Sequence, residues 1–214
     1  MIKNSEWGAV AYLSHSKYGT CTNGTCKEIG INNNSNFITG CGAAAGSSSS
    51  TTCNAYNTAT GMLASTTGNI YGVYDMSGGA YEYTMSNTVS TDGTTMMSGY
   101  NSSYNSGYTG KLYDDGNYTA YTGVAYPNTK YYDKYSFSTS SSSEIGSKLG
   151  DGIKEVYKGN KGWYGDYSGL AGSGYPWFIR GGSCRNGAVA GAFFSNNDNG
   201  IASSSGSSRL VITP

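Results

Sequence analysis

The sequence predicts an α+β fold that is loop-rich, with small antiparallel sheets and few helices. Three observations carry that expectation. Thirty-three glycines, abundant serine and asparagine, 21 tyrosines and only three prolines make a chain rich in turns and inclined to β structure. One segment near the start spaces its apolar residues as a helix does, whereas later apolar runs are short or alternate, as strands do. At 214 residues the chain fits a single domain over 1–214. Its aromatic content of 14% supplies core material that a disordered Ser/Gly/Asn-rich chain lacks.

In chain order, residues 4–18 read as the helix. Asn4 or Ser5 is placed to cap it, Trp7, Val10, Ala11 and Ser14 share one face, and Gly19 ends it. Residues 20–68 are dense in turn formers. Residues 69–84 are the most structured apolar stretch, and residues 80–85 alternate as a strand. Gly72, Gly78 and Gly79 allow turns that bring Tyr71, Tyr74 and Met76 inward. Asp75 and Glu82, set in that apolar block, are expected to accept hydrogen bonds from loop backbone amides, because an unpaired buried carboxylate is costly. Residues 86–145 are polar and tyrosine-dotted, a loop-rich insertion with an exposed tip at 138–143. A short helix is expected over 144–158, a buried strand over 176–180 and a closing strand over 208–213.

Charge is sparse (12%) and balanced at net zero, which excludes the lysine and arginine clusters that nucleic-acid binding requires. No apolar run reaches about 18 residues, so no membrane insertion is expected. The opening residues are too polar for a secretory signal, so export would need an upstream signal or another route. Cys21 and Cys26 bracket a turn sequence, and Cys41 and Cys53 bracket a Gly/Ala/Ser/Thr loop. Two disulfides, each stabilising by roughly 2–4 kcal/mol, fit an oxidising, extracellular setting. A zinc site fits poorly, since C-x4-C with C-x11-C and a single histidine departs from the usual ligand spacing. Cys184 is left unpaired.

The carboxyl end differs in chemistry from the rest. All ten lysines lie at or before Lys161, and all three arginines (Arg180, Arg185, Arg209) follow it. From Phe178 to Pro214 there is no Lys, Glu, Met or Trp, types that make up 24 of the 214 residues. Short neutral side chains on a glycine-punctuated frame suit display rather than acid–base chemistry.

Three blocks carry a resemblance. Asn69-x-Tyr-Gly-x-Tyr-Asp-Met-x-Gly-x-x-x-Glu-Tyr is similar to the N-x-Y-G-L-x-D-M-x-G-N-V-x-E-W signature of the formylglycine-generating-enzyme (sulfatase-modifying factor) family. Arg180-Gly-Gly-Ser with Ser208-Arg-Leu-Val resembles its R-G-G-S and terminal F-R-V segments, and Ser5-Glu-Trp-x-x-x-Ala resembles its E-W-E-x-A helix. The resemblance implies a C-type-lectin-like fold with two helices, small sheets and long loops, lacking here the customary first strand and helix. The enzyme does not carry over. Its chemistry uses two cysteines shortly after R-G-G-S, and only Cys184 stands there. His15, the sole histidine, reads as a packing or surface residue. Arg180 reads as a structural pairing partner.

The run from Arg180 to Ile212 also resembles the variable ligand-binding proteins of diversity-generating retroelements, whose pattern R-G-G-S-x-x-x-G-x-x-A-G-x-F ends in S-x-R-V-x. Their randomised Asn-type codons cannot reach Lys, Glu, Met or Trp. The resemblance implies a frame of Gly181, Gly182, Ser183, Gly187, Ala190, Gly191, Phe193, Gly200, Ser207 and Arg209. It implies ligand-binding positions at Cys184, Arg185, Asn186, Val189, Phe194, Ser195, Asn196, Asn197, Asp198, Asn199, Ile201, Ser203, Ser204, Ser205 and Gly206. An ordinary lectin-like loop without variation would read the same in one sequence. The expected function is non-enzymatic recognition of a protein or glycan ligand, without cofactor or metal, on a bacterial cell surface or phage particle. The alternatives are a formylglycine-generating-type oxidase, a calcium-dependent glycan-binding lectin using the oxygen-rich run 196–200, and a structural virion or pilus component.

Overall fold

The nine-residue strand Tyr81–Val89 organises the main sheet. The computed structural model describes residues 1–33, 38–42, 52–89, 111–114, 117–120, 130–136, 148–172, 175, 177–198, 200 and 203–211. Among them are one α-helix, α1 (Asn4–Ser14), and the strands β1 (Gly40–Gly42), β2 (Thr52–Asn54), β3 (Tyr81–Val89), β4 (Lys111–Asp114), β5 (Asn117–Ala120), β6 (Asp133–Ser136), β7 (Trp177–Arg180), β8 (Ser195–Asp198) and β9 (Gly206–Ser207). The fold is therefore mixed α+β, with one helix and a five-stranded sheet ordered β6-β3-β7-β8, β9 pairing with β3.

β7 runs antiparallel along one edge of β3, and β8 continues antiparallel beyond it. The other edge of β3 is shared: β9 pairs parallel at Tyr81 and Glu82, and β6 pairs parallel from Ser86 to Val89. Between them sits Ile2, whose carbonyl accepts Met85 N–H (2.8 Å) while its own N–H donates to Arg209 O (3.0 Å). The expectation of antiparallel sheets is thus corrected. Two parallel pairs arise because β6 and β9 return to β3 after long excursions, the connection that parallel pairing requires. The stretch 86–145 also departs from a mere loop insertion, since β3 runs into it and β4, β5 and β6 lie within it. Its expected tip at 138–143 lies outside the described residues.

The helix forms where its apolar spacing placed it, with Trp7, Ala11 and Ser14 buried and Val10 half-buried. It starts one residue earlier than expected in its capping: Lys3 N–H donates to Glu6 Oε2 (2.9 Å), and Asn4 is a buried member of the first turn. It ends at Ser14 rather than Tyr18. Thr20 N–H folds back onto Ser14 O (2.9 Å), and a Cβ at Gly19 would stand 2.2 Å from Leu13 O, so only glycine permits this return.

Two further elements differ from expectation. Residues 148–158 contain no helix, because Gly150 and Gly152 take φ of 89° and 65° and Asp151 Oδ1 binds Ile153 N–H in a tight turn (2.9 Å). Of the closing strand expected over 208–213, residues 208–211 lie in no strand, with Leu210 82% exposed, and 212 and 213 lie outside the described residues; the described strand there is Gly206–Ser207. In the 69–84 block Met76 is fully buried and Tyr74 half-buried, but Tyr71 is 87% exposed. Asp75 and Glu82 take side-chain rather than amide partners. Asn32 Nδ2 (2.8 Å) and Thr39 Oγ1 donate to Asp75, and Arg209 pairs with Glu82.

Two apolar clusters form the core. One joins Ile2, Trp7, Ala11, Ile29, Met76 and Phe193, and the other joins Tyr135, Ile153, Leu170 and Phe178. Cys21 and Cys26 form a disulfide across a two-residue hairpin, with Asn23 and Gly24 at φ 52° and 78°. That is the Asn-Gly turn whose twist matches paired strands. The bond marks an oxidising environment. β1 pairs with β2 in the register that sets Cys41 opposite Cys53. No helix among the described residues is long and apolar enough to cross a membrane.

Candidate ligand-recognition surface

The segment that follows β7 leaves the sheet through two left-handed glycines, Gly181 and Gly182 (φ 79° and 74°). Gly181 O accepts the N–H groups of Gly78 (2.9 Å) and Gly191 (3.2 Å), so one carbonyl joins the 69–84 block to the far side of the loop. A Cβ at Gly182 would lie 2.8 Å from the Ala190 Cβ, and one at Gly181 would lie 3.3 Å from the Trp7 ring. Of the expected frame, Gly181, Gly182, Ser183, Ala190, Gly191 and Phe193 are buried, Gly187 and Arg209 are half-buried, and Gly200 and Ser207 are exposed.

Arg180 is fully buried above Trp7, with its guanidinium carbon 5.9 Å from the ring centroid. It forms no carboxylate salt bridge among the described residues. Its Nη2 reaches Gly152 O at 3.4 Å, and Nε and Nη1 have no hydrogen-bond partner. Burial lowers its pKa, opposed chiefly by the charge of Asp151. The expected pairing is thus long-range rather than direct.

Beneath Gly191 lie two acids. A Cβ there would stand 2.0 Å from Asp166 Oδ2 and 2.1 Å from Glu28 Oε1. Asp166 Oδ2 also accepts Phe193 N–H (2.9 Å). Burial, then the neighbouring Asp166, pushes Glu28 up to about 10, and burial pushes Asp166 up to about 7. Burial thus holds both carboxyls above their ordinary range.

The candidate positions divide. Arg185, Val189, Ser203 and Ser204 are exposed, and Cys184, Asn186, Asn196, Asn197, Asp198, Ser205 and Gly206 are half-buried. Phe194 and Ser195 are not displayed. Phe194 is 1% exposed because its ring packs between Tyr81 (5.9 Å) and Tyr167 (5.8 Å), and Ser195, fully buried, donates from Oγ to Gly169 O (3.1 Å). Asn186 is a turn builder whose Oδ1 accepts Ser183 N–H (2.7 Å) and Oγ–H (3.1 Å). Asn199 and Ile201 lie outside the described residues.

The structure joins the displayed positions in two lobes on one support. Cys184 N–H donates to Gly79 O (2.8 Å), and Tyr81 N–H donates to Ser205 O (2.9 Å). The lobes 184–189 and 203–205 therefore attach two residues apart. Tyr81, half-buried, and Tyr167, 39% exposed, flank them. Sequence reasoning missed both tyrosines. Tyr81 was legible only as one residue of an alternating strand, and nothing in the glycine-rich context of Tyr167 distinguished it.

Of the oxygen-rich run 196–200, residues 196–198 lie in β8 and Asn199 lies outside the described residues. Asp198 Oδ1 accepts Tyr83 O–H (2.6 Å) and Gly200 N–H (2.7 Å), and Asn197 Nδ2 donates to Leu170 O (3.0 Å). No group of three His, Cys, Asp or Glu residues suited to a metal occurs among the described residues. His15 packs at the end of α1, with its ring 4.2 Å from Trp163 and Nδ1 2.5 Å from Tyr164 Oη. No family model matches the chain, and no match is found among curated proteins or solved structures.

Proposed function

We propose that the chain is a non-enzymatic recognition domain of C-type-lectin-like type, a variable protein of a diversity-generating retroelement. It works outside the cell, on a bacterial surface or phage particle. It binds a protein or glycan through the surface built by 184–189 and 203–205, with Tyr81 and Tyr167 adding rigid aromatic area. The observation carrying this reading is the division of one segment. Six of the ten residues that the resemblance assigns to a frame, Gly181, Gly182, Ser183, Ala190, Gly191 and Phe193, are buried, and Arg185 and Val189 among them are exposed, as are Ser203 and Ser204 further on. The Cys21–Cys26 disulfide supports the extracellular setting.

Two measurements test it. The genomic neighbourhood should hold a reverse transcriptase and a near-copy of the segment coding for 180–212, and absence of both removes the retroelement assignment. A display screen against surface proteins and glycans of candidate host cells should yield a partner. Arg185→Glu and Val189→Asp should weaken its binding tenfold or more, the first by reversing a charge on the contact face and the second by placing one on an apolar contact. A partner indifferent to both substitutions would place recognition elsewhere.

A further inference from the structure

A cavity of about 420 Å³ opens between β3, β7, Gly200 and the chain at 203–208. Tyr83, Met85 and Trp177 supply its apolar side, and Ser203, Ser207 and Ser208 line it as well. Met1 and Thr84 line it too, and no Asp, Glu, Lys, Arg or His side chain occurs among the described lining residues. The wall is fitted to the rings. A Cβ at Gly200 would lie 2.6 Å from Trp177 Nε1, and one at Gly206 would lie 2.9 Å from Tyr83 Cε2. Glycine alone lets the backbone settle onto both aromatics. Tyr83 is held by its hydrogen bond to Asp198 (2.6 Å), which also fixes Gly200 N–H (2.7 Å). Ser207 is held through Tyr81 O (3.0 Å), and Ser203 Oγ accepts Ser205 N–H (3.2 Å). The cavity is therefore preorganised.

We infer that this cavity binds a neutral pyranose, the terminal sugar of a glycan, without a metal ion. The inference rests on the recognition reading above and names its ligand class. A pyranose has an apolar C–H face that lies against an aromatic ring, and an edge of hydroxyls that both donate and accept, as serine hydroxyls do. An aliphatic or aromatic peptide side chain would match the rings and make no use of the serine hydroxyls. A carboxylated or phosphorylated sugar would find no Lys, Arg or His side chain among the described lining residues. A calcium ion would find no carboxylate. The volume lies within the usual range of small-ligand sites.

The test uses the whole chain, titrated in EDTA with neutral hexoses, N-acetylhexosamines and a uronic acid, and read by calorimetry and saturation-transfer NMR. At least one neutral sugar should bind with a dissociation constant of about 1 mM, the value ordinary ligand efficiencies give for a monosaccharide. Ser208→Phe, an exposed position whose new ring fills the cavity, should weaken that binding tenfold or more. Leu149→Ser, remote and 96% exposed, should leave it unchanged. Trp177→Ala should abolish it, and Ser208→Phe decides the matter should that variant unfold. No sugar bound, binding lost on adding EDTA, preference for the uronic acid, or an aromatic peptide displaced by Ser208→Phe would each overturn the proposal. A protein partner that needs Arg185 and Val189 while no sugar binds would leave the recognition reading standing alone. Neither ligand would end both.

Discussion

At the scale of single residues, burial separates side chains that the sequence presents alike. Phe194 sits in the same run as Arg185 and Val189, yet its ring is enclosed by Tyr81, Tyr167 and the Gly182 backbone. Phe194→Ala is expected to destabilise the fold by roughly 3–5 kcal/mol, whereas Arg185→Ala should stay within roughly 0.5 kcal/mol. Urea unfolding of the two variants checks the contrast, and equal midpoints would refute it. The acids under Gly191 make a second residue-level expectation. Glu28 rises from 4.5 to about 10 and Asp166 from 3.8 to about 7 on folding. The folded chain therefore binds more protons than the unfolded chain above about pH 4, so their contribution is fully present below that and is lost as pH climbs through 7 toward 10. Stability should fall across that window in the parent, and Glu28→Gln, which keeps a hydrogen-bonding partner for Asp166 without a charge to lose, should flatten the fall. A parent whose urea midpoint rises with pH over the same range would contradict the upward shift of the two acids.

At the scale of elements, the strand pair β1–β2 raises a covalent question. Its register sets Cys41 directly opposite Cys53, and directly opposed residues on antiparallel strands have Cβ atoms about 4.5–5.5 Å apart, near the separation a disulfide spans. Mass spectrometry of an unreduced digest is expected to show links 21–26 and 41–53, with Cys184 alone taken up by iodoacetamide. Alkylation at Cys41 and Cys53 in the oxidised protein would disprove the second link. The cysteine spacing was readable because short turns bring their ends together whatever the fold around them. The helix was readable for a similar reason: the spacing of Trp7, Ala11 and Ser14 is a local property. Its end was not, because Gly19 stops it through a turn closing on Leu13 and Ser14 rather than at the residue before. The absent helix at 148–158 has the same lesson, since Gly150 and Gly152 overrule the helix-forming residues beside them. The parallel partners of β3, and the tyrosines beside the recognition surface, depend on which distant segments meet. No local pattern in residues 81–89 announces that Ile2, β6 and β9 share one edge.

At the scale of the whole molecule, one buried side chain ties the segment from Arg180 to Arg209 at three points. Arg180 opens the segment and Arg209 closes it, and their guanidinium carbons stand 5.9 and 5.4 Å from the ring centroid of Trp7. Between them, Ala192 O accepts Trp7 Nε1–H (2.8 Å). Arg209 adds its pairing with Glu82 and bonds to Tyr74 O (3.2 Å) and Asp75 O (3.1 Å), so the carboxyl end is locked to the central block. A segment whose start, middle and end converge on a residue of α1 can change its exposed side chains without moving its supports. Substituting Arg185, Ser203 and Ser204 together should therefore leave the unfolding midpoint nearly unchanged, each position contributing within roughly 0.5 kcal/mol. Trp7→Phe keeps apolar bulk but orphans Ala192 O and weakens both cation–π contacts, and should destabilise by about 2–4 kcal/mol. Combined with Arg209→Met, it should fall short of the sum of the single effects by at least roughly 0.5 kcal/mol, the signature of groups acting on one another. Strict additivity of Trp7→Phe and Arg209→Met, or a large loss from the exposed triple variant, would show that the segment is held by its own loop contacts and not by the convergence on Trp7.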